Sequence, residues 1–262
     1  MIICVDAGNT NITYGIYKND ELYCTFRSET KEITSRQKML DDFLGGLNQY
    51  MLDPKDIEYA IISSVVPSID ATFEYVFSKL EIFYKFIDYN SNIGVDIKID
   101  DPSELGSDLL VAAYQVINKY PLPSIIIDMG TATTIFAIDE KSALIGGMIY
   151  PGLISSYNNL VKDTSKLVKT NLSIPENVIS KSTVSCMQSG MFYGTSSMIN
   201  EVVRLMKDEL NTQDVTVVIT GGVASFMHPY INDSIYDENL ILDGLKSIYM
   251  KYIKKEFFFW KR

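Results

Sequence analysis

Histidine is almost absent from this sequence: His228 is the only one in 262 residues. A His-based catalytic triad or a His/Cys zinc site would have to route every role through that one ring, so both classes are set aside. The three cysteines, Cys4, Cys24 and Cys186, lack any metal-ligand spacing and read as neutral thiols of a reducing compartment. No window approaches the ~18 consecutive apolar residues of a membrane-spanning helix. The apolar N-terminal run has no basic residues ahead of it and is cut short by Asp6, which makes it a first strand rather than a signal peptide. Cations are also scarce: 23 Lys and Arg face 33 Asp and Glu, a net charge of −10, which argues against a nucleic-acid partner. Phosphate binding is not excluded, because backbone N–H groups and a bound cation can supply local positive charge.

What is present is a repeated turn. Ile3-Cys4-Val5-Asp6-Ala7-Gly8-Asn9-Thr10-Asn11 runs an apolar strand into an acid, a glycine and small hydrogen-bonding side chains. The same order returns 122 residues later in Ile127-Asp128-Met129-Gly130-Thr131-Ala132-Thr133-Thr134. Glycine lets backbone N–H groups approach phosphate oxygens with no Cβ in the way, and Asn9, Thr10, Thr131, Thr133 and Thr134 add side-chain donors. Asp6 and Asp128 cannot bind phosphate directly and need a cation, a water or a reacting hydroxyl. A single Asp-x-Gly is more often an ordinary β-turn; two copies at matched positions weigh against that reading. A third piece, Ile219-Thr220-Gly221-Gly222, ends a strand in a glycine pair suited to close approach of a ring or phosphate.

Around these turns the pattern predicts three strands in residues 1–27, a helix from Ser35 to about Tyr50, a strand Tyr59–Val66 and a helix Ser68–Leu80. Asp101-Pro102-Ser103-Glu104 carries helix-start signals for a helix reaching about Tyr120. The sequence of elements then restarts with strands near 125–127, 135–139 and 143–149. Helices are expected at 155–161, 183–193, 194–210 and 240–250, with a strand at 215–220. Pro121 and Pro123 mark the boundary, giving lobes 1–120 and 121–262. An α/β chain that repeats a whole meander-plus-helix domain implies two lobes of similar size with a nucleotide cleft between them.

Phosphate turn, phosphate turn and adenosine turn, in this order, resemble the actin/hexokinase/Hsp70 superfamily, a duplicated ribonuclease-H-like fold. Within it the chain is similar to the type III pantothenate kinases, the Bvg accessory factor family. That resemblance spans nearly the whole chain: the Asp6 turn, Ser63-Ser64-Val65-Val66-Pro67, Pro102 to Asp108, the Asp128 turn, Gly147 to Gly152, Ser182 to Ser185 with Gln188-Ser189-Gly190, and Thr220-Gly221-Gly222. It implies ATP-dependent phosphorylation of pantothenate to 4'-phosphopantothenate, the first step of coenzyme A biosynthesis, in a cytoplasmic homodimer.

By the same resemblance, Asp6, Gly8, Asn9, Thr10 and Asn11 hold ATP phosphates, with Asp6 reaching Mg²⁺ through water. Gly130, Thr131, Thr133, Gly221 and Gly222 also contact ATP, and Asp128 marks a monovalent-cation site for K⁺ or NH₄⁺. Asp108 matches the catalytic base, and its predicted helix places it among Leu105, Val111 and Ala112, a carboxylate interrupting an apolar stripe. Gly106, Ser107, Leu109, Ile99 and Thr183 map to the pantothenate pocket, Gly106 and Thr183 partly across a dimer interface. The family usually reads Gly-Ala-Asp-Arg where this chain has Gly106-Ser107-Asp108-Leu109, and commonly has a tyrosine where Ile99 stands. A charge-assisted hydrogen bond contributes about 1.5–3 kcal/mol, which leucine cannot supply; Lys98 is one basic side chain that could compensate. Two alternatives therefore stand beside pantothenate: a kinase of this fold acting on another alcohol, or a catalytically weak regulatory paralogue. His228 reads as a surface loop residue, and Met187, Met191 and Met198 as core or subunit interface. The aromatic tail Phe257-Phe258-Phe259-Trp260 is expected to dock on the subunit or its partner.

Overall fold

The computed structural model describes residues 1–162 and 171–254. It divides into two compact units, each an α/β layer structure. The aromatic tail from Phe257 lies outside the described residues.

In the first unit, strands β1 Ile2–Ala7, β2 Asn11–Lys18 and β3 Glu21–Glu29 form an antiparallel meander. Strand β4 Tyr59–Ser64 pairs parallel with β1, and β5 Phe83–Ile87 parallel with β4, giving the order β3-β2-β1-β4-β5. Helices α1 Arg36–Gln49 and α2 Pro67–Lys79 supply the crossovers. Helix α1 starts where the sequence predicts, with Ser35 Oγ accepting the Lys38 N–H, a cap contributing on the order of 1 kcal/mol. Helix α2 has no serine cap; Pro67 opens it, and Ser64 Oγ accepts the Val66 N–H just ahead. Alternate residues of β1 (Ile3, Val5, Ala7) pack with Tyr14, Phe26, Met39, Phe43, Phe73 and Phe77 into one core.

One predicted helix is displaced. Pro102–Glu104 is only a 3₁₀ turn, capped by Asp101, and Leu105 returns to extended backbone. Helix α3 then runs Ser107–Lys119, so Asp108 sits in the first turn rather than two turns in. Local capping signals start the chain turning, but Leu105 and Gly106 interrupt it and the helix begins afresh.

In the second unit, β7 Ser124–Met129, β8 Ala132–Ile138 and β9 Ala143–Pro151 repeat the antiparallel meander. Strands β10 Thr216–Thr220 and β11 Ser234–Tyr236 repeat the parallel extension. The two-residue β6 Asp96–Ile97 adds to the edge of β9, giving β11-β10-β7-β8-β9-β6. Sequence patterning did not find β5 or β11. Helix α4 Leu153–Lys162, helix α5 Thr183–Glu209 and helix α6 Ala224–Met227 cover one face over a core of Ile127, Met129, Ile135, Leu153, Phe192, Ile199, Val217 and Met227. The two helices expected at 183–193 and 194–210 are one. Gly190 and Gly194 cost roughly 1 kcal/mol each, but Phe192 and Ile199, buried on either side of Gly194, hold the helix continuous.

The units are not contiguous in sequence, unlike the 1–120 and 121–262 division. The first comprises Met1–Val95, Asp100–Asn118 and Asn239–Arg262; the second comprises Asp96–Ile99 and Lys119–Glu238. Helix α7 Leu240–Ile248 belongs to the first because it packs on that sheet: Leu242 fills the space beside Gly15, and Tyr17 Oη donates to Asp243 Oδ1 at 2.7 Å. Asp96 and Ile97 belong to the second because they pair with Ala143 and Leu144.

Candidate active site

Strand register places the first set of polar residues. Asp6 on β1 lies opposite Ser63 on β4 and Thr13 on β2, and Thr13 lies opposite Arg27 on β3. Neighbours in register share a sheet face, so Ser63, Asp6, Thr13 and Arg27 form one row on the face away from the core of α1 and α2. The turn after β1 is tied down from β3's end. Thr30 Oγ1 donates to the Gly8 carbonyl at 2.6 Å, Thr30 N–H to the Thr10 carbonyl at 3.0 Å, and Gly8 N–H to the Asn11 carbonyl at 3.0 Å. Asn9, Thr10 and Asn11 are left exposed at the tip, and Asp6 is half-buried behind them.

Asp108 enters the same end of the same unit through hydroxyl bonds. Ser107 Oγ donates to the Ser64 carbonyl at 3.0 Å and lies 2.9 Å from Ser63 Oγ, which is fully buried. With Ser107's one proton directed to the carbonyl, Ser63 is the donor between the two hydroxyls. Such buried bonds contribute about 0.5–1.5 kcal/mol each; here they join the first turn of α3 to the strand facing Asp6. Gly106 leaves room for the carboxylate, since a Cβ there would run into Asp108 Oδ1. The carboxylate accepts the Leu109 N–H at 2.7 Å. Desolvation raises the Asp108 pKa above the ordinary carboxylate value, against the lowering effect of backbone donors at the helix N-terminus. The residue is half-buried, short of full enclosure.

The second unit repeats the row. Asp128 on β7 lies opposite Thr220 on β10 and Thr134 on β8, and Thr134 opposite Ile149 on β9. This turn is one residue shorter: Gly130 N–H donates to the Ala132 carbonyl at 2.9 Å. It is held by close packing. A Cβ at Gly152 would strike the Gly130 and Thr131 carbonyls, and Gly152 N–H and Ser155 Oγ both donate to the Thr131 carbonyl, at 3.2 and 2.8 Å. Gly221, at φ +101°, lies so close that a Cβ would meet Asp128 Oδ1 and the Met129 backbone. Glycine is required here for conformation and for space.

The predicted residues separate accordingly. Asp6, Gly8, Asn9, Thr10, Asn11, Gly106, Ser107 and Asp108 gather in the first unit. Asp128, Gly130, Thr131, Gly221 and Gly222 gather in the second. Thr133 does not join them: it lies opposite Met129 on the core face, fully buried, and its hydroxyl has no hydrogen-bond partner. Thr134 is the threonine on Asp128's face, its Oγ1 also buried and unpartnered. Leu109 is buried on α3, while Ile99 is half-buried in the second unit. Lys98 lies 3.5 Å from both Asp96 and Asp139, so its charge is already engaged. Thr183 is exposed as the first residue of α5, behind the Ser182–Ser185 capping box. His228 is half-buried, its Nε2 3.0 Å from the Ser234 carbonyl, rather than a free surface ring. Thr134 was among the donors read from the second turn, but Thr13 was missed from sequence; counting strand residues outward from Asp6 would have found it.

A model of the type III pantothenate kinase family matches residues 2–205. A type III pantothenate kinase of Brevibacillus brevis is 36% identical over 259 residues, covering 95% of this chain and 98% of that one. Among solved structures, a Campylobacter jejuni protein described as a Baf family transcriptional activator superposes with a TM-score of 0.62 at 22% identity, over 95% and 98% of the two chains. MreB 5 of Spiroplasma citri, solved bound to AMPPNP, gives 0.53 at 11% identity over 97% of each chain. At these identities the two structures establish the fold, that of the actin-like ATPases. With the duplicated sheets, the family match and the near full-length relative in agreement, the chain belongs to the type III pantothenate kinase family.

Proposed function

We propose that this chain transfers the terminal phosphoryl group of ATP to the hydroxyl of pantothenate, with Asp108 as the base. The observation that carries the assignment is the setting of Asp108: half-buried, raised in pKa by desolvation, and joined through Ser107 to the strand beside Asp6. A carboxylate whose pKa is raised above its ordinary value is, once ionised, a stronger proton acceptor. It takes the hydroxyl proton as the oxygen bonds to the γ-phosphorus and the bond to the bridging oxygen of ADP breaks. The protein otherwise needs to position and neutralise charge.

No group of three or more His, Cys, Asp or Glu among the described residues forms a metal cage. Mg²⁺ keeps several waters and is held by one or two carboxylates plus substrate phosphates, so it needs no such cage. Asp6 is the carboxylate for it in the first unit, and bound Mg²⁺ would neutralise phosphate charge. The buried, unpartnered Thr134 hydroxyl beside Asp128 supports an oxygen-lined site for a monovalent cation, K⁺ or NH₄⁺. The turns at Gly8–Asn11 and Gly130–Thr131, with Gly221 and Gly222, contact ATP; Gly106, Ser107, Leu109, Ile99 and Thr183 serve the pantothenate side.

We infer a homodimer from exposed apolar side chains of the second unit, among them Ile149 (69% exposed) and Ile179 (87%). No helix of the described residues is long and apolar enough to cross a membrane, and a cytoplasmic location fits the unpaired thiols. The test is mass-spectrometric detection of 4'-phosphopantothenate from purified protein with ATP, Mg²⁺, K⁺ and pantothenate. Stoichiometric product and ADP are expected; ATP binding without product would overturn the assignment.

A further inference from the structure

We propose that Arg27 is a further phosphate-binding residue, contacting the triphosphate of the nucleotide held by the Asp6–Asn11 turn; this rests on the reading of that turn as an ATP site. The argument begins with register. Arg27 lies opposite Thr13, which lies opposite Asp6, so the three side chains stand on one face across three adjacent strands. Two strand spacings, roughly 9–10 Å, separate Arg27 from Asp6 along the row. An arginine side chain is long enough to cover much of that gap over the small Thr13.

The second observation is that this guanidinium has nothing else to do. Arg27 is exposed and forms no ion pair with any described residue. The other described arginines are engaged: Arg204 holds Glu201 and Asp208 at 2.6 and 2.7 Å, and Arg36 lies over the Tyr75 ring at 5.4 Å. Of the basic residues before Thr30, only Lys18 and Arg27 exist, and Lys18 ends β2 at the far end of the strand, over the Tyr23 ring.

The third observation is that Arg27's strand is the one that holds the turn. Three residues beyond it, Thr30 bonds the Gly8 and Thr10 carbonyls. The position of Arg27 relative to the turn is therefore fixed by hydrogen bonds. Arginine's planar fork suits bidentate contact with phosphate oxygens. The matched position in the second unit is Ile149, so only the first row carries a cation.

The experiment measures ATP, ADP and AMP affinities by titration calorimetry for the wild type, Arg27→Met, Arg27→Lys, Lys18→Met and Asp6→Asn, with thermal unfolding of each. Arg27→Met is expected to weaken ATP on the order of 10- to 100-fold and AMP little, with Arg27→Lys intermediate. Lys18→Met, which changes net charge equally, is expected to leave ATP affinity unchanged. Equal losses for ATP and AMP, equal losses in Lys18→Met, or no loss at all would overturn the role of Arg27. If Asp6→Asn also leaves ATP and ADP affinity unchanged, the reading of the turn itself fails.

Discussion

The two rows, Ser63–Asp6–Thr13 and Thr220–Asp128–Thr134, are the same arrangement built twice: hydroxyl, aspartate and threonine on adjacent strands of matching direction. What differs is what packs on them. In the first unit, the hydroxyl Ser63 bonds Ser107 and so brings in α3 with Asp108. In the second, Thr220 leads directly into Gly221, whose missing side chain lets the backbone close against Asp128. The first turn is tied by the side chain and backbone of Thr30; the second is enclosed by glycines at 152 and 221. Duplication supplied the frame for two aspartate turns, and the surroundings differ: an acid-bearing helix is bonded to the first row, and close-packed glycines enclose the second.

The sharpest way to test that contrast is Asp108→Asn, since Asp108 is the acid that the Ser63–Ser107 bond brings to the first row. The rate with pantothenate is expected to fall by about 10²–10⁴, read as ADP release. Stability should move the other way. Asp108 has a folded-state pKa above its unfolded value, so its contribution is present below the unfolded pKa and lost as pH rises through the folded one. Above the folded-state pKa the ionised group therefore opposes folding, and there the asparagine variant should unfold at a higher temperature, with the difference fading in acid.

A second comparison matches the residues that follow each row's hydroxyl. Gly221→Ala forces a Cβ into the Asp128 carboxylate at φ +101° and should cost about 1–3 kcal/mol in chemical denaturation. Ser64→Ala, at the equivalent place in the first unit, loses bonds to Asp70 and Val66 and should cost about 0.5–1.5 kcal/mol. A larger loss from Ser64 than from Gly221 would break the contrast. The smallest effect separates neighbouring threonines. Thr133→Val removes an unpartnered buried hydroxyl and should stabilise by about 1 kcal/mol with ATP KM unchanged. Thr134→Val, on Asp128's face, should instead alter the dependence of rate on K⁺.

Much of this was legible in the residues. Asp6 and Asp128 announced the repeat because each follows an apolar strand and precedes a glycine. Asp108 was singled out by its family resemblance and its apolar neighbours, but its position along α3 was misjudged, since Asp101 and Pro102 are good starting signals that Leu105 and Gly106 cancel. Thr133 was drawn into the site by its neighbours; only the two-residue period of β8 places it on the core side. Helix α7 could not be assigned to the first sheet, because its partners Gly15 and Tyr17 lie more than 220 residues earlier. Arg27 was passed over for the same reason: its relation to Asp6 exists only through strand register.

The most direct measurement is pantothenate-dependent ADP release by Asp108→Asn at saturating ATP, paired with its ATP affinity. Wild-type ATP affinity with turnover reduced at least about 100-fold is the result expected if nucleotide binding belongs to the two aspartate turns and proton removal to α3. Turnover at the wild-type rate would contradict it.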